Sequence, residues 1–597
     1  GPIIVEEKES TTIVPPDFNL HVDNKYNLRI NQKKISNANY LLNKKQTLNN
    51  TIKKIENDPI GLEIMWNRLI NITEECWQTV IKTAYSLVIG EAQDFGCEIL
   101  DSKGNQIAHS PRAMPVFNLT LPLAIKEIIN NFSSNGISIN KDDILITNDP
   151  WLCAGHAYDI AVACPVFIKN SLIAFVGAVG HVSDIGGTLN HLKAQEMYEE
   201  GLIIPPSKIY IEGKPNNDIF KIIKANVRNS YQVLGDLQAL VSSCLKGSQR
   251  IIEFVNEYQI NNLDALSHIV QKRSEIAMKK AIRELPDGTY KNTIIGDGDN
   301  TKLHYPIMIK VKNSKIAVDF KGSPKQTVQG GNNCTLSYTS AHAAYALKCI
   351  LTPEIPSNVG CYKPMSFSAP IGSIFNSEKP MAVNSRTRTG WNIAPNIFLA
   401  LSKAAPKKVV GFSGLPSMIE VYGIDKNNNR FHDQLFQGGG QGASYKKDGK
   451  SGYLYPTSAA NTSIEMFETR APILVLCKEL VLNSGGPGAK RGGLGQILKV
   501  RKLYNDGQIY KAGIYPNGVM STVKGLFGGK SSLVAGAWLI QNNSKKINLG
   551  VGGIVDLYTT QDILILRIAG GSGYGSPFKR KREEVFNDLE EGYISKN

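Results

Sequence analysis

Apolar positions at helical spacing first appear after Asp58. Leu62, Met65, Trp66, Leu69, Ile72, Cys76 and Val80 fall on one stripe. Asp58 suits an N-cap and Pro59 the first helical position, so a helix is expected to about Ser86. Two short strands then flank a turn at Asp101–Asn105. A second helix is expected over 119–133, and Asp142-Asp143 opens a strand leading into Asn148-Asp149-Pro150. Two longer apolar runs, Ala161–Ile168 and Leu172–Val179, are separated by Lys169-Asn170-Ser171, a hairpin pattern. Helical stretches follow at about 217–226, 229–258 and 262–283. From about Gly288 the pattern shortens to strands: Tyr290–Gly296, Ile307–Val311 and Ile316–Phe320. A further helix carries His342 among Ala343, Ala344, Tyr345 and Leu347, which favours a satisfied core histidine. The last patterned stretch, Arg580–Tyr593, is a charged helix.

The fold class expected is α+β. A helical region with a hairpin precedes a β-rich, Gly-rich second half, divided near 58–285 and 286–597. A chain of 597 residues exceeds one average core, so two or three subdomains are expected. Residues 1–32 are strand-rich with two prolines at Pro15-Pro16 and no core of their own, like the end of something longer; a Gly-Pro tag scar would account for the first two residues only. Residues 33–57 read as a polar linker. Glycine clusters at Gly438–Gly442, Ser484–Gly488, Arg491–Gly495 and Gly570–Gly575 fit no phosphate loop, and point to turns or close backbone packing.

Charge and cysteine narrow the function classes. The net charge is +15, but lysines are scattered, and no zinc finger or aromatic–basic stripe occurs. A solvated basic surface is expected, with no nucleic-acid partner. No apolar run is long enough to span a membrane. Nine dispersed cysteines without a C-x-x-C suggest reduced thiols and a cytoplasmic protein. Cys153, near a histidine, is expected as a packed residue rather than a soft ligand.

Candidate chemistry concentrates at the mouth of the hairpin. The hexapeptide G-H-x-x-D-I occurs twice, at Gly155–Ile160 and Gly180–Ile185. Folding about Asn170 sets Asp159 opposite His181, and His156 opposite Asp184. Opposed Cβ atoms lie about 5 Å apart. Imidazoles and carboxylates gathered in this way suit zinc, manganese or iron. Two buried His–Asp pairs holding loops are the alternative; the doubling of the motif favours the metal.

These residues resemble the hydantoinase B/oxoprolinase family. The likeness is carried by Asp58-Pro59, Asp94-Phe95, Asn148-Asp149-Pro150, both G-H-x-x-D-I copies with Gly186-Gly187, Glu200-Gly201-Leu202, Asn226-Val227-Arg228, Gly235-Asp236-Leu237-Gln238 and the three last glycine clusters. It implies the B component of an ATP-dependent cyclic amidase acting on 5-oxoproline, a hydantoin or a similar lactam. The resemblance also implies that Asp94, His156, Asp159 and His181 hold a divalent metal, whose water opens a carbonyl-phosphorylated ring. Asp184 and Asp149 then become supporting residues. Cys153-Ala154-Gly155, where the family commonly has Gly-Gly-Thr, and Gly96, where it has Ser, depart from the pattern. Glu6-Glu7 through Pro15-Pro16 resembles the end of the family's A component, which binds ATP and Mg and is expected as a partner, fused upstream. A hetero- or homo-oligomer is expected. Related components of acetone- and acetophenone-type carboxylases keep a carboxylase as the alternative. A metal-bearing assembly component without chemistry is the third reading.

Overall fold

The computed structural model describes residues 3–6, 11–14, 18–32, 48–298, 301–328, 331–520, 523–542, 544 and 546–596. The chain divides into two compact units, Gly1–Thr51 and Ile52–Asn597. In the first, Ile3–Glu6 pairs with Thr11–Val14, and Phe18–Val22 pairs with Leu28–Gln32, both antiparallel. Most of the expected linker lies outside the described residues. Its end is not a linker but a helix, Leu48–Glu56, whose Ile52 and Ile55 join the core of the second unit.

The second unit is organised around a seven-stranded antiparallel sheet. Its order is Lys214–Pro215, Ser207–Ile211, Ile144–Thr147, Asp159–Ile168, Ser171–His181, Phe95–Asp101 and Gln106–His109. The predicted hairpin forms its centre, and Asp159 pairs with His181 as expected. Both faces are covered. Ile160, Val162, Cys164 and Val166 point to one core, with Leu69, Cys76, Leu240 and Cys244 from the helices Pro59–Thr83 and Ser230–Glu257. Ala161, Ala163 and Phe175 point to the other, with Leu121 and Ile125 of Phe117–Ser134 and with Tyr338. Residues alternate between faces with period two, and burial of both faces explains why the strands read as unbroken apolar runs. The long helix begins as predicted, with the Asp58 carboxylate accepting from Gly61 N at 2.8 Å. It stops at Thr83, short of Ser86, because Ser86 caps the next helix, Leu87–Gly90.

A four-stranded sheet follows: Gly288–Asp297, Lys302–Lys312, Lys315–Asp319 and, in parallel, Met365–Ser368. It shares a core with the helices Leu336–Leu351 and Ile393–Leu401. The remaining strands form a sandwich. One sheet is Arg430–Gln437, Ser417–Ile424, Tyr510–Ile514 and Gly553–Leu557; the other is Ile473–Leu480, Gln496–Lys502, Ile563–Arg567, Gly536–Ile540 and Ile547–Asn548. Ile419, Val421 and Ala512 of the first meet Leu498, Val500 and Leu566 of the second. Ile52–Asn597 is one compact unit, and Cys334 and Tyr338, from beyond residue 285, pack in the core of the first sheet.

The glycine clusters form a layer of extended segments beside this sandwich. Gly414 N donates to Gly440 O, Gly440 N to Ala569 O, Gly493 N to Gln441 O, Gly571 N to Gly493 O and Gly486 N to Gly571 O. A Cβ on Gly440, Gly492 or Gly571 would come closer than 3.0 Å to a neighbouring carbonyl oxygen. Close backbone packing is therefore what these glycines do.

All nine cysteines are unpaired, and Cys153 is packed with its thiol towards Thr147 O. Among the described residues, no helix is long and apolar enough to cross a membrane.

Candidate metal centre

Three elements deliver the site. The central hairpin contributes Asp159 and His181, opposite each other at its open end. The preceding loop contributes His156. Gly155 allows the approach: its φ is +87°, and a Cβ would press on Arg386 and Tyr338. Asn148 pins the same loop, donating to Ala157 O at 2.6 Å and accepting from Ile204 N at 2.6 Å. Asp94 stands just before the neighbouring strand Phe95–Asp101 and is brought in because Phe95 pairs with Gly180 and His181 N donates to Asp94 O.

The polar atoms converge. One ligand atom each from His156, Asp159 and His181 lies within 4.8 Å of the other two. His156 Nε2 is 2.9 Å from Asp159 Oδ1, and His181 Nδ1 is 3.4 Å from it. Asp94 Oδ2 is more distant, 3.9 Å from His181 Nδ1. The close His156–Asp159 approach lacks hydrogen-bond geometry, and both atoms are buried without a partner. Buried polar atoms are normally satisfied. Two lone-pair donors left bare at 2.9 Å, side by side, fit a shared cation.

Arg386 completes the arrangement. Its Nη2 donates to Asp159 Oδ2 at 2.8 Å and its Nε to Ala154 O at 2.6 Å, while its guanidinium lies over the Tyr338 ring. This orients Asp159 and leaves Oδ1 facing the histidines.

Electrostatics sorts the four groups. Burial, then Arg386, holds His156 down to about 3, so its imidazole is neutral at neutral pH. Burial pushes Asp159 upward, but His156 and Arg386 outweigh it and hold the carboxyl well below the usual range. Burial lifts Asp94 to about 6, against the pull of His181. Burial would lower His181, yet the nearby Asp159 and Asp94 carboxylates raise it.

The supporting residues divide. Asp184 does not face His156, as the hairpin symmetry had it. Its carboxylate accepts from Arg228 Nη1 at 2.9 Å, from Arg228 N and from Gly186 N at 3.1 Å. The ladder ends at His181, so the chain beyond turns away and Asp184 clamps a loop. Asp149 has no contact with the candidate ligands among its hydrogen bonds and ion pairs. It accepts from Trp151 N and pairs with Lys379 at 2.7 Å. In that motif Asn148 is the residue that supports the site.

The site opens into a cavity of about 110 Å³, the scale of one that takes up a benzene-sized molecule, about 150 Å³. Phe117, Trp391, Met418 and Phe436 form apolar wall. His342 also faces it. The satisfied core histidine expected there is not satisfied: both ring nitrogens are buried without a partner, beside the edge of Tyr338.

Comparison with known proteins identifies the family and the fold. The family model for hydantoinase B/oxoprolinase matches residues 58–577. The chain belongs to that family. It is 30% identical over 566 residues to the B component of a putative D-/L-hydantoinase of a Pseudomonas species, covering 91% of this chain and 94% of the relative. The crystal structure of the ATP-dependent caprolactamase from Pseudomonas jessenii superposes with a TM-score of 0.83 at 25% identity, over 90% of this chain and 94% of that one. A nucleotide-free acetone carboxylase superposes with a TM-score of 0.84 at 18% identity, over 91% and 79% of the two chains, and shares the fold.

Sequence reasoning missed Arg386, Tyr338 and a second polar group on the cavity wall, Glu420 and His191, with His432 behind Glu420. Arg386 had no local signal. Glu420 had one: Glu420 and Tyr422 face Gln434 and His432 across a hairpin turned at Asn427–Asn429, the same opposition that places Asp159 and His181.

Proposed function

We propose that this chain is the B component of an ATP-dependent cyclic amidase and holds a divalent metal through His156, Asp159 and His181, with Asp94 as the fourth ligand. The observation that carries the proposal is the pair of bare, buried atoms His156 Nε2 and Asp159 Oδ1 beside His181. A divalent ion there supplies Lewis acidity, polarising an oxygen and lowering the pKa of water. The chain's own residues do the rest. His156, kept neutral, presents a lone pair. Arg386 holds Asp159 in one orientation. The apolar wall limits water around a ring bound in the cavity.

In the same proposal, ATP and Mg are used by an A-type partner. Residues 1–32 are the tail of such a component, and zinc, manganese and iron are the candidate metals. The test is metal analysis followed by a coupled assay. The full protein with its A component, stripped by a chelator, should lose ATP-dependent ring opening and recover it with one of these ions. Full turnover at undetectable metal would overturn the proposal. So would ATP consumption driven by acetone and bicarbonate but by no cyclic amide, which would move the chain to the carboxylases.

A further inference from the structure

The cavity wall carries a second polar group that the metal centre does not use. It stands on the hairpin of Ser417–Ile424 and Arg430–Gln437. Glu420 is buried, with 1% of its surface exposed. Its Oε1 is held from two sides: Gln434 Nε2 donates at 2.8 Å, and His432 Nε2 lies 3.0 Å away. Its Oε2 has no hydrogen-bond partner. His191 Nε2 is 3.9 Å from it, too far to donate. The Tyr422 hydroxyl on the same strand face lies close enough to lower this carboxyl slightly but makes no well-formed hydrogen bond to it. Burial alone would raise this carboxyl, but His432, and then His191, hold it down to about 2. An ionised carboxylate only accepts. One oxygen is thus fixed, and the other, on a residue that lines the cavity, lacks a well-formed hydrogen bond, which is costly unless a donor arrives.

The other charges around the cavity are already committed. Arg386 is the sole Lys or Arg among the described residues of its wall, and Asp159 and Ala154 take it up. The carboxylates of Asp94 and Asp159 match the two charges of a divalent ion, and Glu420 matches Arg386. A ligand bringing a carboxylate of its own would be buried without a free cation, which is strongly unfavourable.

We propose that the cavity selects an uncharged cyclic amide or urea bearing a ring N–H, that this N–H donates to Glu420 Oε2, and that rings with a free carboxylate are discriminated against. The proposal rests on the cyclic amidase reading, but its recognition group lies apart from the metal ligands.

Three ligands that differ by one group each test it: 2-pyrrolidinone, its N-methyl derivative, and 5-oxoproline, which is the same ring with a carboxylate. Titration calorimetry on the zinc-loaded full chain should give 2-pyrrolidinone an affinity at least about tenfold above both others, as expected for a hydrogen bond to a charged group. Glu420→Gln should cost 2-pyrrolidinone about tenfold and leave bound zinc unchanged. Equal or tighter binding of 5-oxoproline, equal binding of the N-methyl ring, or no binding of any ring would overturn the proposal. The wild-type titrations do not depend on the variant folding. If the 2-pyrrolidinone preference holds while metal proves irrelevant to turnover, the amidase mechanism fails and this recognition stands. If metal-dependent turnover holds while 5-oxoproline binds best, only this proposal falls.

Discussion

The candidate metal centre and the glycine layer make opposite use of the same backbone. At the candidate metal centre, a loop and a hairpin bring His156, Asp159 and His181 together with Asp94 nearby, and the proposed chemistry would reside in those side chains. In the glycine layer the side chains are missing, and their absence lets Gly440, Gly492, Gly493 and Gly571 place backbone against backbone. The first region depends on its surroundings too, since Arg386 and Asn148 hold the residues that converge there. In the second, an added Cβ would meet a neighbouring carbonyl oxygen at less than 3.0 Å. Function is therefore concentrated where residues are chemically rich, and stability is most vulnerable where they are simplest.

Variants can break this contrast. The largest effect is expected for His181→Ala, which removes a donor on the open end of the hairpin. Bound metal and ring opening should fall together by more than about 100-fold, beyond the cost of losing a supporting residue, while thermal unfolding moves little. Metal analysis and the coupled assay measure it; a folded, active, metal-free variant would contradict it. Gly571→Ala should do the reverse. Its Cβ would meet Gln441 O, and the unfolding free energy in urea should drop by about 3 kcal/mol, the upper end of overpacking costs. Metal stoichiometry in the folded fraction should stay near wild type. Unchanged stability would show that the layer yields.

Smaller effects sharpen the boundary between ligand and support. Asp184→Asn weakens the Arg228 clamp and should cost about 2 kcal/mol of stability, a charged hydrogen bond's worth, with less than a tenfold loss in metal affinity. A metal-free Asp184→Asn protein would return Asp184 to the ligand set. The smallest effect is a pH dependence. Burial lifts the Glu200 carboxyl to about 7, against hydrogen bonds from Val383 N and Asn384 N near Arg386. Its unfolded value is about 4.3. The fold therefore prefers the protonated acid. That stabilisation is fully present below about pH 4 and is lost as pH rises through 7. Urea titrations from pH 5 to 8 should show stability falling more steeply in wild type than in Glu200→Gln; identical slopes would exclude the assignment.

Much of the first region was legible. The Asp58-Pro59 start, the helices over 217–283 and the register that opposes Asp159 to His181 all follow from periodicity and turn chemistry, which act over a few residues. Where the reading stopped, a distant partner decided. Asp184 looked equivalent to Asp159, but the ladder ends at His181 and Arg228 claims it. Asp149 shared a motif with Asn148, yet Lys379, far along the chain, takes it from the site. His342 looked like core because its helical neighbours are apolar, and its exposure to the cavity depends on Tyr338 and Arg386 around it. Residues 48–56 looked like linker because polar composition hid Ile52 and Ile55.

By itself, the sequence determined the α+β elements, the opposition of Asp159 and His181 across one hairpin, and the kinship that brings Asp94 and His156 to it. Each is a local pattern or a motif in fixed order. Only the tertiary structure decided which carboxylates stay at the centre, that Arg386 orients Asp159, and that Glu420 lines the same cavity. Those outcomes depend on burial and on charges hundreds of residues apart, and a buried carboxylate goes to whichever cation or amide the fold places beside it.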